Sequence, residues 1–171
     1  GDAVPIAGCT KHTENNKTPV IREIDGDKLY FYEYILTLDG EDGVTPYTET
    51  GELSVSRTVP DLLFVCENEN RLWGCKGDTI YASKLGDPFN WNVFDGVSTD
   101  SYAVDVGSAG DFTGCFSYRG YPVFFKEEQI YKVYGDKPSN FQVMSSASLG
   151  VEAGSYASLA IAGETLYYLS R

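Results

Sequence analysis

One segment of the chain occurs twice at a spacing of 50 residues, and this repeat constrains the fold more than any other feature. Residues 70–94 read NRLWGCKGDTIYASKLGDPFNWNVF, and residues 120–144 read GYPVFFKEEQIYKVYGDKPSNFQVM. Each copy has two apolar stretches around a polar turn, then a Pro-containing loop that ends on an aromatic residue. An element built twice predicts a chain of packed structural repeats. The matched pairs are Ile80 with Ile130, Tyr81 with Tyr131, Pro88 with Pro138, Asn90 with Asn140, Trp91 with Phe141, and Val93 with Val143.

Composition favours an all-β fold built from antiparallel hairpins. The 171 residues are 42% hydrophobic and 14% aromatic, which is enough apolar surface for a packed core. The aromatic and β-branched residues favour strands, and 18 glycines favour tight turns between them. No long stretch places apolar residues at helical spacing.

A hairpin pattern recurs along the chain and extends the repeat. Aligned on their second strands, Leu29, Leu72, Val123 and Leu166 follow one another at intervals of 43 to 51 residues. Propeller blades of four strands repeat at about 40–50 residues. The spacing therefore predicts a β-propeller-like domain, whole or partial, over residues 23–171.

The two ends of the chain are expected to differ from the repeats. Residues 1–22 are polar and unpatterned and read as an N-terminal arm or linker. Residues 29–55 alternate in polarity, so an inserted immunoglobulin-like segment is an alternative for the first copy. The final GETLYYLSR stops within a strand pattern, and exposed sheet edges are usually avoided. We therefore expect either a fragment of a longer polypeptide or edges completed by neighbouring subunits.

Charge and cysteine content exclude several classes of partner. The net charge of −12 and the pI near 4.4 disfavour nucleic-acid binding, because the surface repels phosphate. No apolar run is long enough to span a membrane. Neither a zinc site nor any other cofactor is expected, since no CxxC spacing exists and His12 is the only histidine. Free, mostly buried thiols in a reducing cytosol are favoured over two disulfides for Cys9, Cys66, Cys75 and Cys115.

The two Pro-containing loops are the candidate interface. Gly and Asp permit the turn, Pro fixes φ, Asn bonds nearby backbone, and the aromatic ring pins the loop to the sheet. Self-packing turns are the simpler interpretation, and protein–protein contact is the alternative. The residues concerned are Asp87, Pro88 and Trp91 in the first loop and Pro138, Asn140 and Phe141 in the second.

Catalytic and ligand sites have weaker support in the sequence. A Ser-His-Asp or Cys-His site would have to use His12, in the polar arm. Calcium would need more ligands than DGDK at 25–28 or DGEDG at 39–43 supply. A glycosidase would need two carboxylates at a fixed separation, drawn from Glu127, Glu128, Asp78, Asp105 and Asp111. Carbohydrate binding is the main alternative to a structural role, with Trp91, Tyr118 and Tyr121 as its platform.

Residues 61–171 resemble a family of tail-associated structural proteins from bacteriophages and prophages of Gram-positive bacteria. The most specific part of the likeness is the pair formed by NRLWG…IYAS.LGDP.NW and FFKE..IYK.YG..PSNFQV, with the final YLSR. The resemblance implies a propeller-like, non-enzymatic virion component that is made in the bacterial host cytoplasm. Its expected partners are other virion proteins or further copies of itself, and glycan contact stays open. The role would be architectural.

Overall fold

The computed structural model describes residues 4–26, 28–32, 54–55 and 59–171. The chain divides into two compact units, Gly1–Val59 and Pro60–Arg171. The arm at residues 1–22 and the repeat domain at residues 23–171 stay predictions. All described strand pairs are antiparallel, in sheets of two or four strands. The all-β prediction is confirmed, whereas the propeller stays a prediction.

The first unit contains two strand pairs. The expected hairpin is present, with Leu29 opposite Ile24. A short 3₁₀ turn spans Thr13–Asn15. The immunoglobulin-like alternative over residues 29–55 and the acidic turn at 39–43 lie largely or wholly outside the described residues. The strands are β1 (Ile6–Ala7), which pairs with β4 (Ser54–Val55), and β2 (Ile21–Asp25), which pairs with β3 (Lys28–Phe31).

The second unit contains two four-stranded sheets followed by a hairpin, each with its strands in sequence order. Short 3₁₀ turns lie at Pro138–Asn140 and Tyr156–Ser158. The first sheet has β5 (Phe64–Asn68), β6 (Arg71–Lys76), β7 (Thr79–Ala82) and β8 (Tyr102–Asp105). The second sheet has β9 (Gly114–Tyr118), β10 (Tyr121–Phe125), β11 (Ile130–Tyr134) and β12 (Gln142–Ser146), and the third hairpin has β13 (Ala160–Ala162) and β14 (Thr165–Tyr167).

The repeat at 50 residues holds residue by residue through three strands. Trp73 lies opposite Cys66 and Ala82 in the first sheet, and Val123 lies opposite Phe116 and Lys132 in the second. The turns that set this register, Glu69–Asn70 and Arg119–Gly120, each use two residues with positive φ. Such two-residue turns match the twist of a hairpin and fix its pairing.

The turns also correct one part of the sequence alignment. Leu29, Leu72 and Leu166 each occupy the second position of the second strand of their hairpin. Val123 occupies the third position of β10, so Trp73 rather than Leu72 is its counterpart. The error arose because Pro122 fills the second place, where an apolar residue was expected.

Within the second unit, we call the face that a sheet turns towards the next sheet or hairpin its leading face, and the opposite face its trailing face. The first core joins the leading face of the first sheet to the trailing face of the second, where Trp73 contacts Phe124 and Phe141 at ring-centroid distances of 6.4 and 5.1 Å. The second core joins the leading face of the second sheet to the third hairpin, where Phe125 lies 5.2 Å from Tyr168. Burying each large ring contributes about 2–3 kcal/mol. The two sheets and the hairpin thus stack in chain order.

Candidate functional site

The long loop between β7 and β8, residues 83–101, is anchored by a buried arginine. The side chain of Arg71 is 3% exposed, and its Nη1 donates to the carbonyl oxygens of Ser83 and Asp100 at 2.8 and 2.5 Å. Its Nη2 donates to the Ser98 carbonyl at 2.7 Å. Burial lowers the pKa of the Arg71 guanidinium, and the Asp100 carboxylate opposes this shift. The guanidinium of Arg71, a residue of β6, therefore holds both ends of the loop.

The predicted residues of the first loop fold the loop upon itself. Trp91 is 4% exposed, and its indole Nε1 donates to the Pro88 carbonyl at 2.9 Å. The Asp87 carboxylate accepts from the Phe89 amide at 3.2 Å. The side chain of Trp91 is therefore occupied within the loop rather than displayed.

The second loop has the same turn chemistry but a different course. Asn140 Oδ1 accepts from the amides of Asp136 and Lys137 at 3.1 Å each, and Nδ2 donates to the Asp136 carboxylate at 2.5 Å. This hydrogen bond lowers the pKa of Asp136. Pro138 begins the short 3₁₀ turn, and Phe141 packs between the sheets, 5.1 Å from both Trp73 and Tyr102.

The two loops are therefore not equivalent beyond their first turns. Trp91 and Val93 lie inside the first loop, whereas Phe141 directly precedes β12 and Val143 belongs to it. The first loop is longer because β8 does not begin until Tyr102. The shared Pro-x-Asn-aromatic pattern made the two segments similar in sequence, although their aromatic residues occupy different positions in the structure.

Two of the three residues predicted to bind sugar are adjacent. Tyr118 and Tyr121 are cross-strand partners at the turn between β9 and β10. The Tyr118 hydroxyl donates to the Glu164 carbonyl at 2.6 Å. The Tyr121 ring lies 5.0 Å from that of Tyr134, and the Lys132 ammonium lies over both, 3.9 and 4.8 Å from their centroids. Trp91, being buried, offers no ring face for stacking.

An acidic cleft of about 620 Å³ opens at one end of the second sheet. Asp111, Glu127 and Glu128 line it, and Lys126 lines it as well. Glu127 and Glu128 lie in the turn after β10 rather than in a strand. Glu127 accepts from the Ala153 amide at 3.2 Å and lies 3.5 Å from the Arg171 guanidinium. Three of the five carboxylates named from the sequence thus share this cleft.

Lys126 was not identified from the sequence. It is 3% exposed, its Nζ donates to the Ser108 carbonyl at 2.9 Å, and the ammonium lies 5.0 Å from the Phe112 centroid. Burial lowers its pKa, and the charges of Asp78 and Asp111 oppose this shift. The repeat could have indicated this lysine, because Lys76 occupies the equivalent position in the first sheet. There the Lys76 Nζ lies 2.7 Å from the Asp61 carboxylate.

All four cysteines are free thiols, three of them buried, as favoured by the sequence. Cys66 and Cys75 of the first sheet meet Cys115 of the second in the first core. Hydrogen bonds with Cys66 and then Cys75, together with burial, raise the pKa of the Cys115 thiol. The side chains that the structure describes include no group of His, Cys, Asp or Glu placed to hold a metal ion.

Comparisons with known proteins identify no family: no protein-family model matches the chain, and no curated protein matches it. Across the described ranges, no helix is long and apolar enough to cross a membrane. The likeness to phage tail proteins accordingly stays an expectation that rests on the residues quoted for it.

We predict that Arg71→Met releases the loop at 83–101. Its removal leaves three carbonyl oxygens without their donor, which we expect to lower the free energy of unfolding by about 3 kcal/mol. Hydrogen exchange read by mass spectrometry should accelerate at least tenfold in the loop amides and stay unchanged in β9–β11. Arg119→Met, which removes an exposed arginine, is the control. Unchanged loop exchange in Arg71→Met would show that the arginine is not the anchor.

We predict that the Cys115 thiol makes stability fall at alkaline pH. Its raised pKa keeps the thiol protonated in the folded state, whereas the unfolded chain loses that proton above about pH 8.5. The free energy of unfolding should therefore decrease as pH rises, by up to about 1.4 kcal/mol per pH unit, with no such contribution below pH 7.5. Urea titrations under reducing conditions between pH 7 and 9.5 measure this slope. Equal slopes in Cys115→Ala and the unsubstituted protein would contradict the prediction.

Proposed function

We propose that this chain is a non-enzymatic structural component of a phage or prophage virion, in the tail or neck. It is a propeller-like scaffold whose exposed loops and faces contact other virion proteins and further copies of itself. On this proposal it is synthesised in the bacterial cytoplasm, is incorporated into the particle, and uses no cofactor.

The observation that carries the proposal is that the sheets stack in chain order and that the first three strands of both sheets pair in the same register. Trp73 and Val123 occupy equivalent places, and each is buried by the unit that follows it. A repeat that buries one face of each unit on the next produces a stiff array, because protein interiors pack closely and resist compression. Stiffness with many exposed loops suits a scaffold.

The propeller part of the proposal rests on strand order and on the meeting of first strands. Blades are four-stranded antiparallel sheets arranged side by side. In this chain β5 and β9, the first strands of the two sheets, lie against each other. The Ser117 hydroxyl donates to Asn68 Oδ1 at 2.8 Å across this contact. Two neighbouring propeller blades likewise have their first strands close together, and the remaining strands of each blade follow outward in order.

Carbohydrate or host-surface recognition is the second candidate. The specific observation in its favour is the Tyr121–Tyr134 pair under Lys132, in which the side chain of Tyr134 is 39% exposed. Aromatic faces beside a hydrogen-bond donor suit a sugar ring, and both tyrosines lie at the ends of their strands, where β10 begins and β11 ends.

The structural proposal predicts that the protein copurifies with intact particles. After prophage induction in the source bacterium, particles purified by density gradient should contain this chain in a fixed ratio to the other tail proteins. Quantitative mass spectrometry measures that ratio, with an abundant host cytoplasmic protein as the control. A chain abundant in the lysate yet absent from the particles would refute the proposal.

The recognition candidate predicts binding to one class of glycan. A glycan array probed with the full chain should give a reproducible signal that Tyr121→Ala reduces by about two- to tenfold, because stacking on one aromatic ring contributes about 0.5–1.5 kcal/mol. Tyr30→Ala, which removes a tyrosine that is 39% exposed on β3, is the matched control. An array without signal, or a signal insensitive to Tyr121→Ala, would count against this candidate.

A further inference from the structure

The contact between successive units uses the same pair of faces twice. The leading face of the first sheet meets the trailing face of the second, and the leading face of the second meets the third hairpin. Trp73 and Val123 hold equivalent places on the two leading faces and are 2% and 5% exposed. Cys75 and Phe125 hold the next places and are 0% and 1% exposed. On both leading faces, the side chains at these two positions are therefore buried by the next sheet or hairpin.

The leading face of the third hairpin breaks this rule. Counted from its two-residue turn, Tyr167 has the place of Trp73 and Val123, and Leu169 has the place of Cys75 and Phe125. Tyr167 is nevertheless 57% exposed and Leu169 is 54% exposed. Large apolar side chains in these places are what a following trailing face would bury.

The trailing face of the first sheet is the complementary surface. Val65 of β5 has the place that Cys115 has in the second sheet, yet Val65 is 44% exposed whereas Cys115 is fully buried. Gly74, opposite Val65, is covered by the Leu62 side chain, which fills the place of the Phe124 ring. Ala103, on the outer strand β8 and in line with Val65 and Gly74 across the sheet, is also exposed.

We propose that the leading face of the third hairpin of one copy packs on the trailing face of the first sheet of a second copy. The inference rests on the proposed scaffold function and names its partner. A second copy is the occupant because both surfaces lie on the same chain and repeat a pairing that it already makes internally. Such a contact joins unlike faces, so it propagates into a ring or a filament instead of ending at a symmetric dimer.

Charge adds a condition to this association. Each copy carries a net charge of −12, so two copies repel one another at low ionic strength. Salt screens this repulsion over about 10 Å at 0.1 M. The contact itself is apolar, so added salt strengthens the assembly instead of weakening it.

The test uses sedimentation velocity of the full chain over a range of concentrations at 0.05 and 0.3 M NaCl. The unsubstituted chain should form species larger than a dimer, more readily at the higher salt. Tyr167→Glu blocks the leading face and Val65→Glu the trailing face, and each should weaken assembly at least tenfold. Phe94→Glu, on the exposed tip of the 83–101 loop, should change nothing.

Mixing the two blocked variants separates this geometry from every symmetric one. Val65→Glu retains a free leading face and Tyr167→Glu a free trailing face, so an equimolar mixture should form dimers and stop there. A mixture that stays monomeric, or a single variant that still dimerises, would overturn the proposal. Circular dichroism and urea midpoints establish that each variant is folded, and Ala103→Glu replaces Val65→Glu if the latter unfolds.

The outcome is independent of the virion experiment. An unsubstituted chain that stays monomeric at all concentrations and both salts overturns the head-to-tail contact, even when the chain is present in particles. A chain that assembles as described but is absent from particles upholds the contact and refutes the virion role.

Discussion

The stacking of the first sheet on the second is the interaction on which the rest of the second unit depends. Trp73 lies at its centre, within 5.1 to 6.4 Å of the rings of Phe141, Tyr102 and Phe124. Offset aromatic contacts of this kind add to the burial of apolar area, and they also fix the angle at which two surfaces meet. The second sheet then presents its opposite face to the third hairpin, so the position of one core determines the position of the next.

The repeated part of this fold could be predicted from the sequence because its causes are local. Alternating apolar residues and two-residue turns determine both the strands and their register, and a spacing of 50 residues is maintained from Phe64 to Ala82. The loops could not be predicted in the same way. The Pro-x-Asn-aromatic pattern specifies a turn, but the number of residues after that turn decides whether the ring ends in the loop, as Trp91 does, or between the sheets, as Phe141 does.

The buried cations Arg71 and Lys126 were missed for a related reason. A charge can be buried only when partners from elsewhere satisfy it, and here those partners are mainly carbonyl oxygens. Every residue has a carbonyl, so the sequence gives no sign of which ones converge. The proximity of Tyr118 and Tyr121 was easier to predict, since they flank a turn and must face each other. Trp91 was misplaced with them because its burial depends on the fold of the loop.

The anchoring of the 83–101 loop from β6 has a consequence for how such a protein diversifies. Its closing hydrogen bonds reach Ser83, Ser98 and Asp100, close to the ends of the segment, and leave the tip around Phe94 outside the clamp. The exposed residues around Phe94 can therefore change character while the strands beneath keep their pairing, whereas the buried Trp91 and Val93 must be kept. Related chains would be free to evolve new surface specificity at this one point without redesigning the sheet that carries it.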